Sequence, residues 1–138
     1  MGDLITWRSI EERSGRDYST LSEPERVWYN ATRVTICVRN GSLISYYYNG
    51  YAEHVDDLLI SLSVLGADDM LALVKRMNVL FGEPMPKSLE GLNDVIDSWE
   101  DGGPEEDESD RIAEVEQAAA DQVDELLIHY SRVHGIEV

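Results

Sequence analysis

Apolar residues recur three and four positions apart along most of the chain, which is the spacing of one face of an α-helix. A clear example follows Ser22, where the apolar positions are Val27, Ala31, Val34 and Val38. The pattern predicts an all-α protein, a single compact domain of about six to seven helices.

Start and stop signals divide this pattern into segments. The run Ser22-Glu-Pro-Glu25 is a capping box with proline in the first turn, and it predicts that a helix begins there. Asn40-Gly41 predicts the end of that helix, because this residue pair suits a left-handed backbone. Gly66 and Gly82 predict the ends of two later helices, and Ser88 predicts the start of another.

The predicted organisation has four parts. Residues 1–20 contain a short helix over 3–13 and a polar connection. The helical core spans residues 21–100. An acidic loop at 101–110 then leads into a C-terminal helix at 111–134.

Two segments of the core need separate arguments. Leu43 to Tyr48 is rich in β-branched and aromatic residues, but no neighbouring strand-like segment could pair with its backbone, so a helix is predicted. Tyr51 to Leu65 places its apolar residues on one helical face. The helix capped by Asp68 and running to Phe81 is apolar on more than one face, which predicts the central, most buried helix.

Charge adds a second pattern, because it is strongly asymmetric. The net charge is −17, and residues 94–138 hold 15 acids and 2 bases, a net of −13. Residues 1–93 hold 13 acids and 9 bases, a net of −4. Such a field excludes nucleic acid and anionic membrane as direct partners and favours a basic protein surface or cations. Acidity needed only for solubility, or for a salty cytoplasm, would be spread over the whole surface.

Helical geometry places many of these carboxylates in rows. At 100° per residue, four fall on one side of the helix that follows Ser88, and four on the outer side of the last helix. Within the last helix they lie opposite Ile112, Ala119 and Val123. The predicted partner-binding face comprises Glu90, Asp94, Asp97, Asp101, Glu105, Glu106, Asp107, Glu108, Asp110, Glu114, Asp121 and Glu125.

These rows predict a surface selected for binding. Like charges at this spacing destabilise a helix by about 0.2–0.5 kcal/mol per pair, and no lysine or arginine interleaves to cancel them. Duplex DNA carries one charge every ~1.7 Å along its axis, so two carboxylate rows form a similar, sparser string. A protein that grips phosphates with Lys and Arg could accept it, with fast and salt-sensitive association. Only Gly102 to Ser109 is predicted to be disordered.

Other chemistry is weakly indicated. Cys37 is the single cysteine, so neither a disulfide framework nor a thiolate zinc site is expected. His129 and His134 lack the spacing of a helical zinc pair, even with Glu137 nearby, and Asp97 to Glu108 lacks the order of a calcium loop. With no catalytic motif either, we expect no enzyme activity, cofactor or metal. We also expect a cytoplasmic protein, since no signal or membrane-length segment is evident.

One run of residues resembles a known family. Val38-Arg-Asn-Gly-Ser-Leu-Ile-Ser-Tyr-Tyr-Tyr-Asn49, followed by Leu65-Gly-Ala67, resembles the DNA-mimic protein family. Its members show an Asn-Gly-Gly-Phe-x-Gln-Tyr-Phe-x-Asn run and an Ile-Gly-Ala helix end. The matching residues here are Asn40, Gly41, Tyr46, Asn49, Gly66 and Ala67. The departures are Ser42, Leu43 and Ser45.

The resemblance covers residues 21–81 well and the acidic end loosely. It implies an all-helical fold, commonly a homodimer, and an acidic surface that occupies the DNA-binding face of a helix-turn-helix regulator. The matched residues themselves are expected to be structural, with Tyr46 and Tyr47 packed.

Three hypotheses follow. The first is a DNA mimic that blocks a basic DNA-binding protein, such as a transcription regulator. The second is an immunity or antitoxin protein that covers the basic cleft of a nuclease toxin. In the third, acidity provides solubility, and the Tyr46–Tyr51 region binds a small ligand or the protein is purely structural.

Overall fold

The computed structural model describes residues 4–137, and this part of the chain forms one compact all-α domain of seven α-helices. The predicted fold class is confirmed. The helices are α1 (Trp7–Asp17), α2 (Glu23–Asn40), α3 (Leu43–Tyr48), α4 (Val55–Leu65), α5 (Asp68–Val79), α6 (Leu89–Asp97) and α7 (Pro104–Val133).

Helix α2 has more buried residues than any other described helix, and it packs against α1, α3, α4 and α7. Its predicted apolar positions are all buried. Its start is also as predicted: the Ser22 hydroxyl accepts from the Glu25 N–H (3.3 Å) and the Glu25 carboxylate accepts from the Ser22 N–H (2.9 Å). The prediction that α5 is the central helix is wrong, since α5 leaves Val79 78% exposed while α2 is covered by four neighbours.

The predicted helix at Leu43 to Tyr48 is confirmed as α3. Tyr46 and Tyr47 are fully buried, and the Tyr47 ring stacks on Phe81 with centroids 4.7 Å apart. The Tyr47 hydroxyl donates to the Asn78 side-chain oxygen at 2.5 Å. These tyrosines are therefore part of the core, as expected from their sequence.

The largest difference from the sequence prediction is the start of α7. The predicted acidic loop at 101–110 is wrong from Pro104 onward, as is the predicted disorder up to Ser109, because α7 begins at Pro104. Proline at the first helical position, followed by Glu105, Glu106 and Asp107 in the first turn, is a typical helix start. The acidic residues that predicted a loop instead stabilise the N-terminus of the helix.

Several other boundaries also differ. The N-terminal helix begins at Trp7, since the Thr6 hydroxyl accepts from the Ser9 N–H, and it continues to Asp17. Residue 3, where the prediction began, lies outside the described residues. Gly41 has φ −170° and is not left-handed, which corrects the prediction there.

The segment after α3 begins with a 3-10 turn over Tyr51–His54, so α4 starts later than predicted. Gly66 and Gly82 are left-handed, as their positions predicted. Asp68 is the first residue of α5 and does not cap it, because Ala67 holds the cap position. That helix ends at Val79.

A second, small core joins the two ends of the described chain. Ile10, Leu21 and Ile136 are buried together, apart from the main core. The Ile5 N–H donates to the Gly135 carbonyl at 2.7 Å, and the Glu137 N–H donates to the Ile5 carbonyl at 2.8 Å. Ion pairs of Arg13 with Glu25 and of Arg33 with Glu11 also fasten α1 to α2.

Glu116 on α7 is a buried acid that connects two helices. Its carboxylate accepts from the Leu43 N–H at 2.9 Å and so satisfies a backbone donor at the start of α3. Burial raises the pKa of Glu116, while the Leu43 N–H partly offsets this. This acid belongs to the fold and not to the exposed charge.

We expect Glu116→Ala to lower the free energy of unfolding by about 1–3 kcal/mol, because the buried Leu43 N–H loses its acceptor. The matched variant Glu116→Gln keeps an acceptor oxygen and should remain close to the parent protein. Urea denaturation of the three proteins measures the difference. Equal stability of the alanine and glutamine variants would contradict the capping role.

The difference in unfolding free energy between Glu116→Gln and the parent protein should change with pH in one direction. The folded pKa of Glu116 lies above its unfolded value, so its stabilising contribution is complete below the unfolded pKa and is lost as pH rises through the folded one. We therefore expect Glu116→Gln to gain stability relative to the parent as pH rises from acidic to neutral.

Candidate partner-binding surface

The outer face of α7 carries a row of exposed carboxylates. At 100° per residue the row stays within about 40° of one line along the helix, opposite the buried face. Its extent of 18 residues corresponds to about 27 Å at 1.5 Å per residue. This α7 row consists of Asp107, Asp110, Glu114, Asp121 and Glu125.

The opposite face of α7 explains why the row points outward. That face packs against α2 and α5. Its buried residues are Ile112, Glu116, Ala119, Ala120, Val123, Leu127 and Ser131. Because the apolar stripe has only one way to face the core, the acidic stripe faces solvent along its whole length.

A second, shorter row lies on α6. Ser88 caps this helix by accepting from the Gly91 N–H, and Leu92 is buried where α6 packs against α3. Three exposed acids form the α6 row: Glu90, Asp94 and Asp97. The prediction that Asp101 extends this row on the same helix is wrong, because α6 ends at Asp97. Asp101 is exposed in the turn between α6 and α7.

The acids of the first turn of α7 have a partly structural role. Glu105, Glu106 and Glu108 are half-buried, and the Glu106 carboxylate accepts from the Gly102 N–H at 3.3 Å. Carboxylates at a helix N-terminus are stabilised by its unpaired N–H groups. Among the predicted loop acids, Asp101, Asp107 and Asp110 are exposed.

Two arginines from other helices reach the acidic surface. Arg39 of α2 donates to Asp121 at 2.9 Å and also pairs with Asp124. Arg76 of α5 makes two hydrogen bonds to Glu108, at 2.7 and 3.3 Å, and the pKa of Glu108 is lowered, chiefly by its hydrogen bond to Arg76. The expectation that no base cancels these charges is wrong for Asp121 and Glu108.

Most of the predicted face nevertheless stays uncompensated. Ten of its twelve acids form no ion pair with any residue in the described range 4–137. They are Glu90, Asp94, Asp97, Asp101, Glu105, Glu106, Asp107, Asp110, Glu114 and Glu125. Along the chain, Asp101 lies in the turn between the α6 row and the acids of the first turn of α7.

The remaining candidate groups have local partners. His54 is half-buried and stacks on Tyr18 with centroids 3.8 Å apart. His134 packs beside Tyr130. Burial raises the pKa of the Cys37 thiol to about 11, so it stays protonated at neutral pH.

No group of three or more His, Cys, Asp or Glu side chains between residues 4 and 137 is placed to hold a metal ion. No helix in that range is long and apolar enough to cross a membrane.

We expect Arg39→Gln to tighten binding of a polylysine probe and to steepen its salt dependence, because Asp121 and Asp124 lose their intramolecular partner. Unfolding stability should change by less than about 1 kcal/mol, as is usual for an exposed pair. The measurement is a titration at several salt concentrations.

The matched control for that titration is Arg16→Gln on α1. It removes the same charge from an exposed pair with Glu12, away from the α7 row. Equal effects of the two substitutions on polylysine binding would show that only net charge matters.

Most of the chain matches a known protein family. Residues 19–134 match the family model described as DMP19-like protein, which is named for a DNA-mimic protein. The match spans well over half of the sequence, and the chain therefore belongs to the DMP19-like family. Searches of curated proteins and of solved structures gave no match.

Proposed function

We propose that this member of the DMP19-like family mimics the charge of DNA and occupies the basic DNA-binding surface of a partner protein, such as a transcription regulator. The observation that carries the proposal is the α7 row, a straight line of exposed carboxylates on a rigid helix. The family match supports the same conclusion. In this role the protein binds and does not catalyse.

The spacing of the α7 row suits a protein that contacts phosphates. Its neighbouring acids are mostly three or four residues apart, so about 5–6 Å separates them. Carboxylates, like phosphates, accept the paired N–H groups of arginine. Arg76 already binds Glu108 through two such hydrogen bonds in this chain. A partner arginine could bind Asp110, Glu114 or Glu125 in the same way.

Rigid placement adds to the effect of the charge itself. A row fixed on a packed helix keeps its geometry before the partner arrives, so little ordering entropy is lost on binding. The summed field also steers a basic surface toward the row, and salt weakens this steering. A flexible acidic tail of equal charge would lack the first advantage.

We further propose that the protein acts in the cytoplasm as a homodimer, the assembly that the family resemblance implies. Two copies would present two sets of rows, which suits a two-fold symmetric regulator that reads two half-sites on DNA. Light scattering in solution measures the mass directly. A monomer at working concentration would remove this part of the proposal.

The partner can be identified by capture from a lysate of the native source, with elution in a salt gradient. A DNA-binding protein that elutes at moderate salt, and that releases labelled DNA when this protein is added, supports mimicry. A nuclease held through high salt supports the alternative role as an immunity protein. A partner without a basic surface would overturn both.

Replacing three unpaired acids of the α7 row tests the site. We expect Asp110→Asn, Glu114→Gln and Glu125→Gln together to slow association with the captured partner about tenfold at low salt, because steering weakens. The dependence of affinity on salt should also become shallower. Stopped-flow mixing at several salt concentrations measures both.

The control is a triple variant with the same change in net charge. Glu12→Gln, Glu53→Gln and Glu83→Gln neutralise exposed acids outside the α6 and α7 rows. We expect a much smaller change in association rate. If association with the partner slows equally in both triple variants, the position of the α7 row is irrelevant, and the acidic residues act only through net charge.

A further inference from the structure

An apolar groove opens where α1, α2 and α7 meet. Its volume is about 350 Å³. Four of its lining residues are apolar, including two tryptophans, and three are polar or charged. The lining residues are Trp7, Trp28, Asp124, Leu127, Ile128, Ser131 and Glu137.

Two large apolar side chains that line the groove, one on α1 and one on α7, are exposed. Trp7 is 44% exposed and Ile128 is 45% exposed. In a chain of net charge −17, leaving both in water needs an explanation. Clustered exposed apolar groups with a polar rim are typical of interaction sites, and tryptophan is the residue most enriched among binding hot spots.

The groove is continuous with the α7 row. By helical geometry, Ile128 lies within about 40° of the line of the row, one turn beyond Asp124 and Glu125. The groove opens along the same flank of α7. A partner that follows the carboxylates toward the C-terminal end of α7 therefore meets an apolar recess next.

Part of the groove lies outside the family match. Residues 19–134 match the family, whereas Trp7 and Glu137 come from the chain ends. The bridge between Ile5 and Ile136 and the burial of Ile10 hold these ends in place. The groove therefore combines family residues of α2 and α7 with an addition that fixes one wall.

We propose that this groove receives an apolar side chain of a basic amphipathic helix on the partner whose cationic residues contact the α7 row. The inference rests on the proposed function and names a second contact for the same partner. The indoles, Leu127 and Ile128 suit an aliphatic side chain. The α7 row and the carboxylate of Glu137 suit lysine or arginine on either side of it.

Charge selects this occupant over two others. A second copy of the chain would bring another strongly negative surface to a groove whose lining already includes Asp124 and Glu137. Arg39 forms an ion pair with Asp124, whereas Glu137 forms none within residues 4–137. An anionic lipid surface is repelled for the same reason. A basic helix would be attracted by the acidic lining residues and would bury apolar surface against the tryptophans, Leu127 and Ile128.

The α7 row and the groove contribute to the same interface in different ways. The α7 row contributes steering and a salt-dependent affinity, which many basic proteins could share. The groove contributes apolar burial, which salt does not screen and which distinguishes one basic helix from another. Such a contact would give selectivity that charge mimicry alone lacks.

Two synthetic peptides of equal length and charge test the proposal. One is a lysine–leucine amphipathic helix, and the other replaces each leucine with serine. The protein carries Trp99→Phe, so that Trp7 and Trp28 alone report by fluorescence. We expect the leucine peptide to bind about tenfold more tightly and to shift the emission to shorter wavelength.

Substitutions then locate the contact. Ile128→Ser should remove most of the tenfold advantage of the leucine peptide without changing the salt dependence, and Trp7→Ala should do the same. Val133→Ser is the control, since Val133 is 65% exposed on the opposite flank of α7 and should have no effect. Circular dichroism and thermal unfolding confirm that each variant is folded.

The possible outcomes separate the groove from the α7 row. Equal binding of both peptides with unchanged fluorescence overturns the groove proposal and leaves the α7 row standing. Binding of neither peptide counts against the row, and therefore against both proposals. A concentration-dependent emission shift without peptide would assign the groove to a second copy and overturn the basic-helix assignment.

Discussion

The outward position of the acidic surface depends on the burial of the opposite face of α7. Ile112, Val123 and Leu127 are buried against the body of the protein, and each such side chain contributes about 1.5–3 kcal/mol when fully buried. Repulsion between neighbouring acids on the outer face costs only about 0.2–0.5 kcal/mol per pair. Packing therefore decides the orientation of the helix, and the carboxylates are carried into solvent as a straight row.

Ion pairs with arginines from other helices reduce the remaining repulsion between the acids of α7. Arg39 and Arg76 come from α2 and α5 and bind acids of α7. Exposed pairs of this kind stabilise a fold only slightly, so their main effect is on the shape of the field. They pair with Glu108 near the start of α7 and with Asp121 and Asp124 in its second half, and they leave Asp110 and Glu114, which lie between these positions, without an ion pair. Apart from Asp121, the acids of the proposed α7 row form no ion pair within residues 4–137.

Local signals were enough to predict the parts of the fold that depend on neighbours in sequence. The capping box at Ser22 and the apolar stripe of α2 follow from spacing and composition, whereas the helix at Leu43 to Tyr48 follows from the lack of a strand-like segment that could pair with it. The start of α7 was missed although Pro104 and the acids after it are a recognisable signal, because their charge suggested a loop. Contacts between distant residues left no such local trace. Neither the pairing of Arg39 with Asp121 nor the burial of Glu116 beneath α3 follows from helical periodicity.

Charge alone could not distinguish this protein from any strongly acidic domain, and geometry makes the difference. A row fixed on α7 offers regularly spaced acceptors, and the groove beside Ile128 offers a contact that is not electrostatic. Long-range attraction brings a basic surface near the protein quickly, but it discriminates poorly between basic surfaces. Short-range apolar burial discriminates well but acts only after contact. Trp7 and Glu137 lie outside residues 19–134, so the family match does not account for this part of the groove.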